Sequence, residues 1–368
     1  MAPATLTRTT AQTLRPGPLA AVSELATRLD AGALLASSTP AVRWLGVARP
    51  AGVHVLVSDG EAVLVAPDGA PLDAPAALDA GAPSVERYAP GELPAALSRS
   101  LARAALDAGE PLALERDALP LSAAAALGER PTIEAGAALT RARARKDAEE
   151  LALIEAAAEL VSVGHNALRE AARAGRTELD LWGATRAAIE AAKGRPLHAV
   201  VDLMAGEQTA LVGVPPSGAS VAADAPILFD LAPRHDGWWA DSCATFVAGG
   251  GAPTAALRRL HDAARAALEH GISRARPGIR ARDLDALIRS RLDEAGFDCP
   301  HHIGHGVGAA PQEEPWIDRD APLVLEEGMV VALEPGAYRD GLGARVEHLL
   351  LIEADGARPL TRHSLSLT

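Results

Sequence analysis

A pair of aspartates placed symmetrically about a sharp turn constrains the fold of this chain more than any other feature. Asp230 and Asp241 belong to two apolar runs, and the turn-forming residues 234–237 lie between them. If the runs pair as a hairpin with His235 and Asp236 at its tip, the aspartates face each other with Cβ atoms about 5 Å apart. A register slip of one residue would move a side chain to the other face. The spacing therefore predicts antiparallel strands with two acidic side chains on one face.

The same arrangement recurs further along the chain. Glu334 and Glu347 are symmetric about Asp340-Gly341, a dipeptide suited to tight hairpin turns, and His305 lies between the two acidic pairs in a Gly-rich stretch. Buried carboxylates held this close cost several kcal/mol unless they are protonated or neutralised. Four carboxylates balance two dications, and oxygen ligands with one imidazole suit Mn²⁺, Co²⁺, Fe²⁺ or Zn²⁺. Each residue alone is ordinary turn or strand chemistry, but the ordered set predicts a two-metal site.

Composition excludes several classes of function. The net charge of −13 argues against nucleic-acid and anionic-membrane partners, which require a basic face. Two cysteines are too few for a disulfide framework, so a reducing compartment is predicted. The first residues contain no apolar run suited to a signal peptide, and no later stretch offers about 18 uninterrupted apolar residues for a membrane span. These features predict a soluble cytoplasmic protein.

The chain is long enough for two domains. Residues 1–17 are predicted to be a flexible tail, residues 18–140 an α/β domain, and residues 141–368 a second domain. In the first domain, helices are predicted at 19–31, 93–108 and 123–127, and strands at 33–37, 53–58 and 62–66. The last two strands flank Asp59-Gly60, which predicts a hairpin.

The second domain is predicted to begin with helices and then to turn to strands. Helices are expected from about 147 to 174, from 177 to 193, from 253 to 275 and from 281 to 295. Strands are expected at 200–204, 227–232, 240–247, 301–307, 329–335 and 344–352. Thr177 and Gly194 supply a start and a stop signal for the second helix. Helices followed by strands occur twice, which suggests an internal duplication.

Several of these segments resemble the metal-binding signature of the pita-bread metallopeptidases. The matching stretches are 227–230 with 240–246, 301–308, 328–336 and 345–348. That family includes methionine aminopeptidases, Xaa-Pro aminopeptidases and prolidases, plus the metal-free creatinases, and the resemblance covers residues 141–361. It implies an α+β pita-bread (creatinase/aminopeptidase-like) catalytic domain after an α/β N-terminal domain, and, from the branch with such an N-terminal domain, a homodimer.

The resemblance also implies a role for each ligand. Asp230 would chelate one divalent cation, His305 and Glu334 the other, and Asp241 and Glu347 would bridge both. A water or hydroxide between the cations would be the nucleophile, and Glu334 would act as general base and proton shuttle. The implied cofactors are two divalent metal ions, Mn²⁺ or Co²⁺ first, with Zn²⁺ or Fe²⁺ as alternatives.

Other residues match the family at the substrate pocket. Arg345 matches an arginine of the Xaa-Pro-specific branch, and His301 matches a pocket-lining histidine. His302 and His348 match no family role, so packing or solvent contact is expected for both. Cys243, two residues after a predicted ligand, is interpreted as a small buried apolar residue.

The pattern departs from the family at two positions. Gln312 stands where the active peptidases have a histidine that contacts the scissile carbonyl or the tetrahedral intermediate, and Val212 or Gly213 stands where they have a second histidine. Glutamine donates a neutral hydrogen bond but carries no charge. Loss of an oxyanion donor of this kind typically costs about 100-fold or more in rate. The predicted metal ligands are complete, whereas the substrate contacts are altered.

The sequence thus predicts a dinuclear metal-dependent hydrolase that resembles Xaa-Pro aminopeptidases and dipeptidases and cleaves an amide bond in a small peptide. One alternative keeps the site but changes the substrate to a small non-peptide amide or cyclic amidine. Another is a non-catalytic pita-bread binding protein, against which the complete ligand set argues.

Overall fold

The computed structural model describes residues 16–70, 72, 83–107 and 109–368. The chain divides into two compact units, Met1–Arg143 and Ala144–Thr368. The stretch predicted to be a flexible tail lies almost entirely outside the described residues, which begin at the first helix.

The N-terminal unit alternates helices and strands. Its helices are α1 (Pro16–Arg28), α2 (Thr39–Trp44), α3 (Leu93–Arg103) and α4 (Gly136–Ala142). Its strands are β1 (Ala33–Ala36), β2 (His54–Ser58), β3 (Glu61–Pro67), β4 (Ser84–Tyr88), β5 (Leu112–Leu114) and β6 (Thr132–Glu134). The helix expected at 123–127 is a 3₁₀ helix at Leu121–Ala126.

These strands form one six-stranded sheet in the order β4-β3-β2-β1-β5-β6. The predicted hairpin at Asp59-Gly60 is confirmed, since β2 and β3 pair antiparallel and both turn residues have the positive φ that such a turn requires. The pairs β3–β4, β1–β5 and β5–β6 are parallel, which confirms the α/β character. Alternate strand residues such as Leu35, Leu56 and Val65 bury against α3.

The C-terminal unit begins with two capped helices, α5 (Ala148–Ala171) and α6 (Glu178–Lys193). Asp147 and Thr177 start them through reciprocal capping boxes, and Gly194 ends α6 in the left-handed conformation. The other helices are α7 (Ala255–Arg274) and α8 (Ala281–Glu294). The first strands are β7 (Ala199–Ala205), β8 (Pro226–His235), β9 (Trp238–Trp239) and β10 (Ser242–Val247). The later strands are β11 (Gly304–Gly306), β12 (Glu313–Ile317), β13 (Val330–Leu333), β14 (Gly336–Arg339), β15 (Leu342–Arg345), β16 (His348–Glu353) and β17 (Gly356–Pro359).

The strands of this unit form two antiparallel sheets and a two-stranded ribbon. The first sheet has the order β10-β8-β7 with β9 on β8, the second the order β12-β11-β13-β16-β17, and β14 with β15 forms the ribbon. The first sheet packs on α5 and α6 through residues such as Leu168, Leu181 and Phe229. The second packs on α7 and α8 through residues such as Leu268 and Ile288. A helix pair on a sheet therefore occurs twice, in agreement with the order of elements expected from the sequence.

Among the described residues, α5 alone is long and apolar enough to cross a membrane by length and composition. Core helices pass the same test, and 44% of its most apolar window is buried inside the protein. Its residues Ile154, Val161 and Leu168 recur at helical spacing and are fully buried. Packing in the core accounts for the apolar composition of α5.

Candidate metal centre

The hairpin that carries the two aspartates differs from the predicted one in register. Asp230 on β8 pairs with Cys243 on β10, and Asp236 and Gly237 form the tip with positive φ. The predicted tip was one residue too early, because Asp236-Gly237 is the dipeptide that adopts the left-handed dihedrals of a two-residue turn. The prediction that Asp230 lies directly opposite Asp241 is therefore wrong, because the residue opposite Asp230 is Cys243, two positions further along the chain. Side chains alternate with period two, so the shift keeps both aspartates on one face.

The hairpin that carries the two glutamates has the predicted register. Strands β14 and β15 pair from Gly336 with Arg345 to Arg339 with Leu342, and Asp340-Gly341 forms the tip. The pairing of β13 with β16 continues the same register on the far side of the two glutamates. Glu334 and Glu347 therefore lie opposite each other at the junction of the two ladders.

His305 occupies the middle of the short strand β11, between two glycines. A Cβ at Gly304 would overlap the carbonyl oxygen of Ala332, and one at Gly306 that of Glu314. This close backbone packing explains why both neighbours of His305 lack side chains. The His305 Nδ1 atom lies 3.0 Å from the Gly306 carbonyl oxygen, which leaves Nε2 to face the acidic residues.

All five predicted ligands converge. His305 Nε2 lies 3.7 Å from Asp241 Oδ2 and 3.5 Å from Glu334 Oε1. One ligand atom each from Asp241, His305 and Glu347 lie within 4.8 Å of one another, and so do those from Asp230, Glu334 and Glu347. The two oxygens of Glu347 and Asp241 Oδ1 are buried with no hydrogen-bond partner among the described residues. Buried carboxylate oxygens without donors fit divalent cations as their partners.

The electrostatics of the cluster support the same conclusion. Burial raises the pKa of Asp230 to about 6, against the opposing charge of Arg345. Burial, and then the charges of neighbouring carboxylates, raise the pKa of Asp241 and of Glu347 well above the usual range. These raised pKa values mean that the charges of the protein alone do not stabilise the ionised form of the three carboxylates. The donor set therefore fits a pair of dications.

Glu334 differs from the other carboxylates in its surroundings. Burial opposes its ionisation, but the adjacent His302 imidazole and the charge of Arg345 outweigh burial and lower its pKa to about 2. Glu334 is therefore the carboxylate of the cluster that is held ionised, although it is only 6% exposed.

Arg345 is a buried cation beside the predicted ligands. Its Nη2 donates to Asp230 Oδ2 at 2.7 Å, and its Nε lies 3.4 Å from the sulfur of Cys243. Burial raises the pKa of the Cys243 thiol well above its usual range, so the thiol is neutral. Cys243 is fully buried, as its interpretation as a small core residue requires, and its sulfur also contacts Arg345.

Asp202 is an acidic residue at this site that the sequence analysis did not identify. It pairs with Asp230 in the β7–β8 ladder, so Asp202, Asp230 and Cys243 form a row across three strands. Its Oδ2 lies 3.6 Å from Arg345 Nη2. The signal available in the sequence was a single acid within an otherwise apolar strand.

His301 lies at the edge of the cluster with both ring nitrogens engaged. Its Nδ1 donates to the His302 carbonyl oxygen at 2.7 Å, and its Nε2 accepts from the Tyr338 hydroxyl at 3.0 Å. Burial lowers the pKa of His301 to about 4, so the ring is neutral at pH 7. Tyr338, which fixes this ring, was not among the residues predicted from the sequence.

The structure corrects the expectation for His302. Its ring packs edge-on against Trp316, but its Nε2 also lies 2.9 Å from Glu334 Oε1. His348 is different, since its Nδ1 pairs with the Thr361 hydroxyl at 3.0 Å and its ring packs on His363. The packing role expected for His348 is confirmed.

The positions that depart from the family are exposed. Gln312 is exposed in the bend before β12, and Val212 and Gly213 are exposed after β7. Within the part of the chain that the structure describes, the contacts of the acidic cluster do not involve these residues. The neighbour of Gln312 is anchored, since Glu313 Oε1 lies 2.8 Å from Lys146 Nζ and both side chains are buried.

Comparison with known proteins agrees with this geometry. The Xaa-Pro dipeptidase of Lactobacillus helveticus is 32% identical over 228 residues, 61% of each chain. That of Pyrococcus furiosus is 28% identical over 220 residues, 59% of this chain and 63% of the relative. The matches thus span less than two thirds of these relatives. The prolidase structure from Pyrococcus horikoshii superposes with a TM-score of 0.84 at 23% identity, covering 95% of this chain and 99% of that one.

The C-terminal unit therefore has the pita-bread fold, with the α/β unit before it. Residues 152–354, more than half of the chain, match a single family and contain all five converging side chains. On that match, the chain belongs to metallopeptidase family M24.

Proposed function

We propose that the protein is a dinuclear metal-dependent peptidase that cleaves small Xaa-Pro peptides. The observation that carries the proposal is the set of buried carboxylate oxygens without hydrogen-bond partners, on Asp241 and Glu347, at the centre of five converging ligands. The relatives named as Xaa-Pro dipeptidases indicate the class of substrate.

The residues divide between two cation positions as the family resemblance implies. Asp230 would hold one cation, His305 and Glu334 would hold the other, and Asp241 and Glu347 would serve as ligands for both. Two divalent cations, Mn²⁺ or Co²⁺ before Zn²⁺ or Fe²⁺, neutralise these carboxylates when bound and acidify a water molecule that supplies the nucleophile at neutral pH.

The remaining residues supply proton transfer and charge balance. As the family resemblance implies, Glu334 would accept a proton from the attacking water and pass it to the leaving amine, and its carboxylate is held in the ionised form that this role requires. Arg345 balances Asp230, to which it donates a hydrogen bond. His301 is neutral, and Tyr338 fixes its orientation at the edge of the cluster.

We infer the partners, the compartment and the oligomeric state of the protein from its charge and its family. A chain with a net charge of −13 is suited to small-molecule substrates rather than to nucleic acid or an anionic membrane. We propose a homodimer in the cytoplasm, in line with the branch that the chain resembles.

A second candidate keeps the metal centre and changes the substrate to a small non-peptide amide. The observation that favours it is the absence of histidine at Gln312 and at Val212 and Gly213. The family histidine expected at position 312 contacts the scissile carbonyl or the tetrahedral intermediate, whereas an exposed glutamine there offers only a neutral donor.

Metal loading and substrate assays test the proposal. Purified protein loaded with Mn²⁺ or Co²⁺ is expected to hold about two cations per chain, because four carboxylates balance two dications, and to hydrolyse Ala-Pro. Elemental analysis measures the first result, and release of proline the second. Pro-Ala serves as the control dipeptide, and a panel of small amides runs beside it. Amide turnover without Ala-Pro cleavage would establish the second candidate, and no bound cation would exclude both.

The substitution Gln312→His tests whether the missing imidazole limits peptide cleavage. It is expected to raise kcat/KM for Ala-Pro by about 10- to 100-fold, because loss of an oxyanion donor typically costs about 100-fold or more and one introduced imidazole restores part of that factor. The control is Gln312→Ala, which removes the amide and adds no imidazole. Equal kcat/KM in the two variants would show that the imidazole is not the limiting group.

A further inference from the structure

We propose that His302 is a sixth protein ligand of the metal centre and binds the same cation as His305 and Glu334. The inference rests on the proposed function only in requiring that divalent cations bind the cluster. His302 stands outside the five-ligand pattern of the family, and its assignment comes from the position of its ring.

The distances place the His302 imidazole among the ligand atoms. Its Nε2 lies 2.9 Å from Glu334 Oε1, and His305 Nε2 lies 3.5 Å from the same oxygen. One ligand atom from each of these three residues lies within 4.8 Å of the other two. Ligand atoms bound at about 2.1 Å to one cation are separated by about 3 to 3.5 Å. The two distances to Glu334 Oε1 therefore match the spacing of neighbouring ligand atoms around a single ion.

The ring is held in this orientation by its surroundings. It packs edge-on against Trp316, with ring centroids 5.2 Å apart, and against His305, with centroids 5.5 Å apart. The His302 carbonyl oxygen accepts the hydrogen bond from His301 Nδ1, which fixes the backbone at this bend. A ring fixed on two sides and at its backbone loses little further freedom when it binds an ion.

The contacts of the His302 Nε2 atom distinguish a metal ligand from a residue that only forms a hydrogen bond with Glu334. Nε2 is buried, and despite its short approach to Glu334 it has no partner in hydrogen-bond geometry within the described ranges. A buried ring nitrogen whose one close contact lacks hydrogen-bond geometry is poorly satisfied, and a cation between Nε2 and Glu334 would supply a partner. The side chain as a whole is 29% exposed, so the remainder of the ring reaches the open side of the site.

A second imidazole would make the two cation positions chemically different. The position of His302, His305 and Glu334 would have two nitrogen ligands and would favour Zn²⁺ or Co²⁺ over Mn²⁺. The position of Asp230 has carboxylate ligands and would retain an affinity for Mn²⁺. A mixed pair of metals would then be the stable loading in a solution that contains both ions.

Titration with Co²⁺ tests the assignment without relying on activity. Wild type, His302→Gln, His302→Ala and the control His270→Gln, which alters a histidine on α7 outside the cluster, are titrated by calorimetry and by visible absorption. Wild type and control are expected to bind two Co²⁺ with the same ligand-field spectrum. Both His302 variants are expected to bind one of the two ions at least about 10- to 100-fold more weakly, with a changed spectrum.

The outcomes separate this inference from the proposed function. If His302→Gln keeps the wild-type spectrum and both affinities, His302 is not a ligand, whereas two bound Co²⁺ in wild type would still support the proposed function. If glutamine restores the spectrum and alanine does not, a hydrogen bond to Glu334 explains the contact and the ligand assignment is overturned. If wild type binds no Co²⁺, both fail. Circular dichroism of each variant verifies that it is folded.

Discussion

Replacing Glu347 with glutamine is expected to remove both cations from the protein at once. Glu347 is 1% exposed, and both of its oxygens lack hydrogen-bond partners among the described residues, as a ligand shared by two ions requires. Affinity for both cations should fall by about 100-fold or more. This loss exceeds the roughly 10- to 100-fold loss that follows removal of a residue that only hydrogen-bonds to a metal ligand. Hydrolysis should fall by about 1,000-fold or more, since several kcal/mol of transition-state stabilisation depend on the ions.

The metal-free form of the same variant gives an independent result. Glutamine keeps the shape of Glu347 and does not titrate, so the metal-free variant avoids the free-energy cost of burying a carboxyl whose pKa is raised well above its usual range by burial and by Asp241, Asp230 and Glu334. The metal-free variant should therefore unfold at a higher temperature than the metal-free wild type. The control is Glu353→Gln, which alters a half-buried glutamate at the far end of β16, where its partner is Arg358. Retention of two tightly bound cations, or of hydrolysis, in Glu347→Gln would show that the ligand assignment is wrong.

Replacing Lys146 with methionine is expected to destabilise the C-terminal unit by about 3 to 5 kcal/mol. Lys146 Nζ lies 2.8 Å from Glu313 Oε1, and the two side chains are 0% and 1% exposed. Methionine fills similar space but leaves the carboxylate of Glu313 buried without this counter-charge. For a unit of this size the loss corresponds to a fall in Tm of about 6 to 20 °C, measurable by calorimetry of the metal-free protein.

An exposed ion pair provides the control for that measurement. Arg186 and Glu190 form an i,i+4 pair on α6, and the Arg186 side chain is 54% exposed. The substitution Arg186→Ala should cost only about 0.3 to 0.5 kcal/mol. The double variant Lys146→Met with Glu313→Gln should recover part of the loss, because it also removes the carboxylate charge that faced Lys146. A Tm for Lys146→Met equal to that of Arg186→Ala would contradict the role of the buried pair.

The parts of the site that could be predicted from the sequence are those set by local structure. Asp340-Gly341 fixes its hairpin within a few residues, and the register of Glu334 with Glu347 follows from it. The hairpin of the two aspartates was misplaced by one residue at its tip, because the segment before Asp236-Gly237 contains other turn-forming residues. The helix caps at Asp147 and Thr177 were equally local.

The parts that could not be predicted depend on contacts between distant segments or on irregular backbone. Asp202 reaches the site because β7 pairs with β8 across a long connection, and no local pattern specifies that pairing. His302 lies in a bend just before β11, where strand alternation gives no direction for a side chain. Tyr338 contacts His301 only after the ribbon β14–β15 folds back on it.

The two glycines beside His305 also limit how the metal preference of this chain can evolve. Any side chain at Gly304 or Gly306 meets a backbone carbonyl of a neighbouring strand, so β11 accepts almost no substitution without displacing its imidazole. Mutations that retune selectivity while preserving the fold must therefore accumulate outside this strand. Position 302 is partly open to solvent and adjoins the cluster, which makes it the natural site for such divergence.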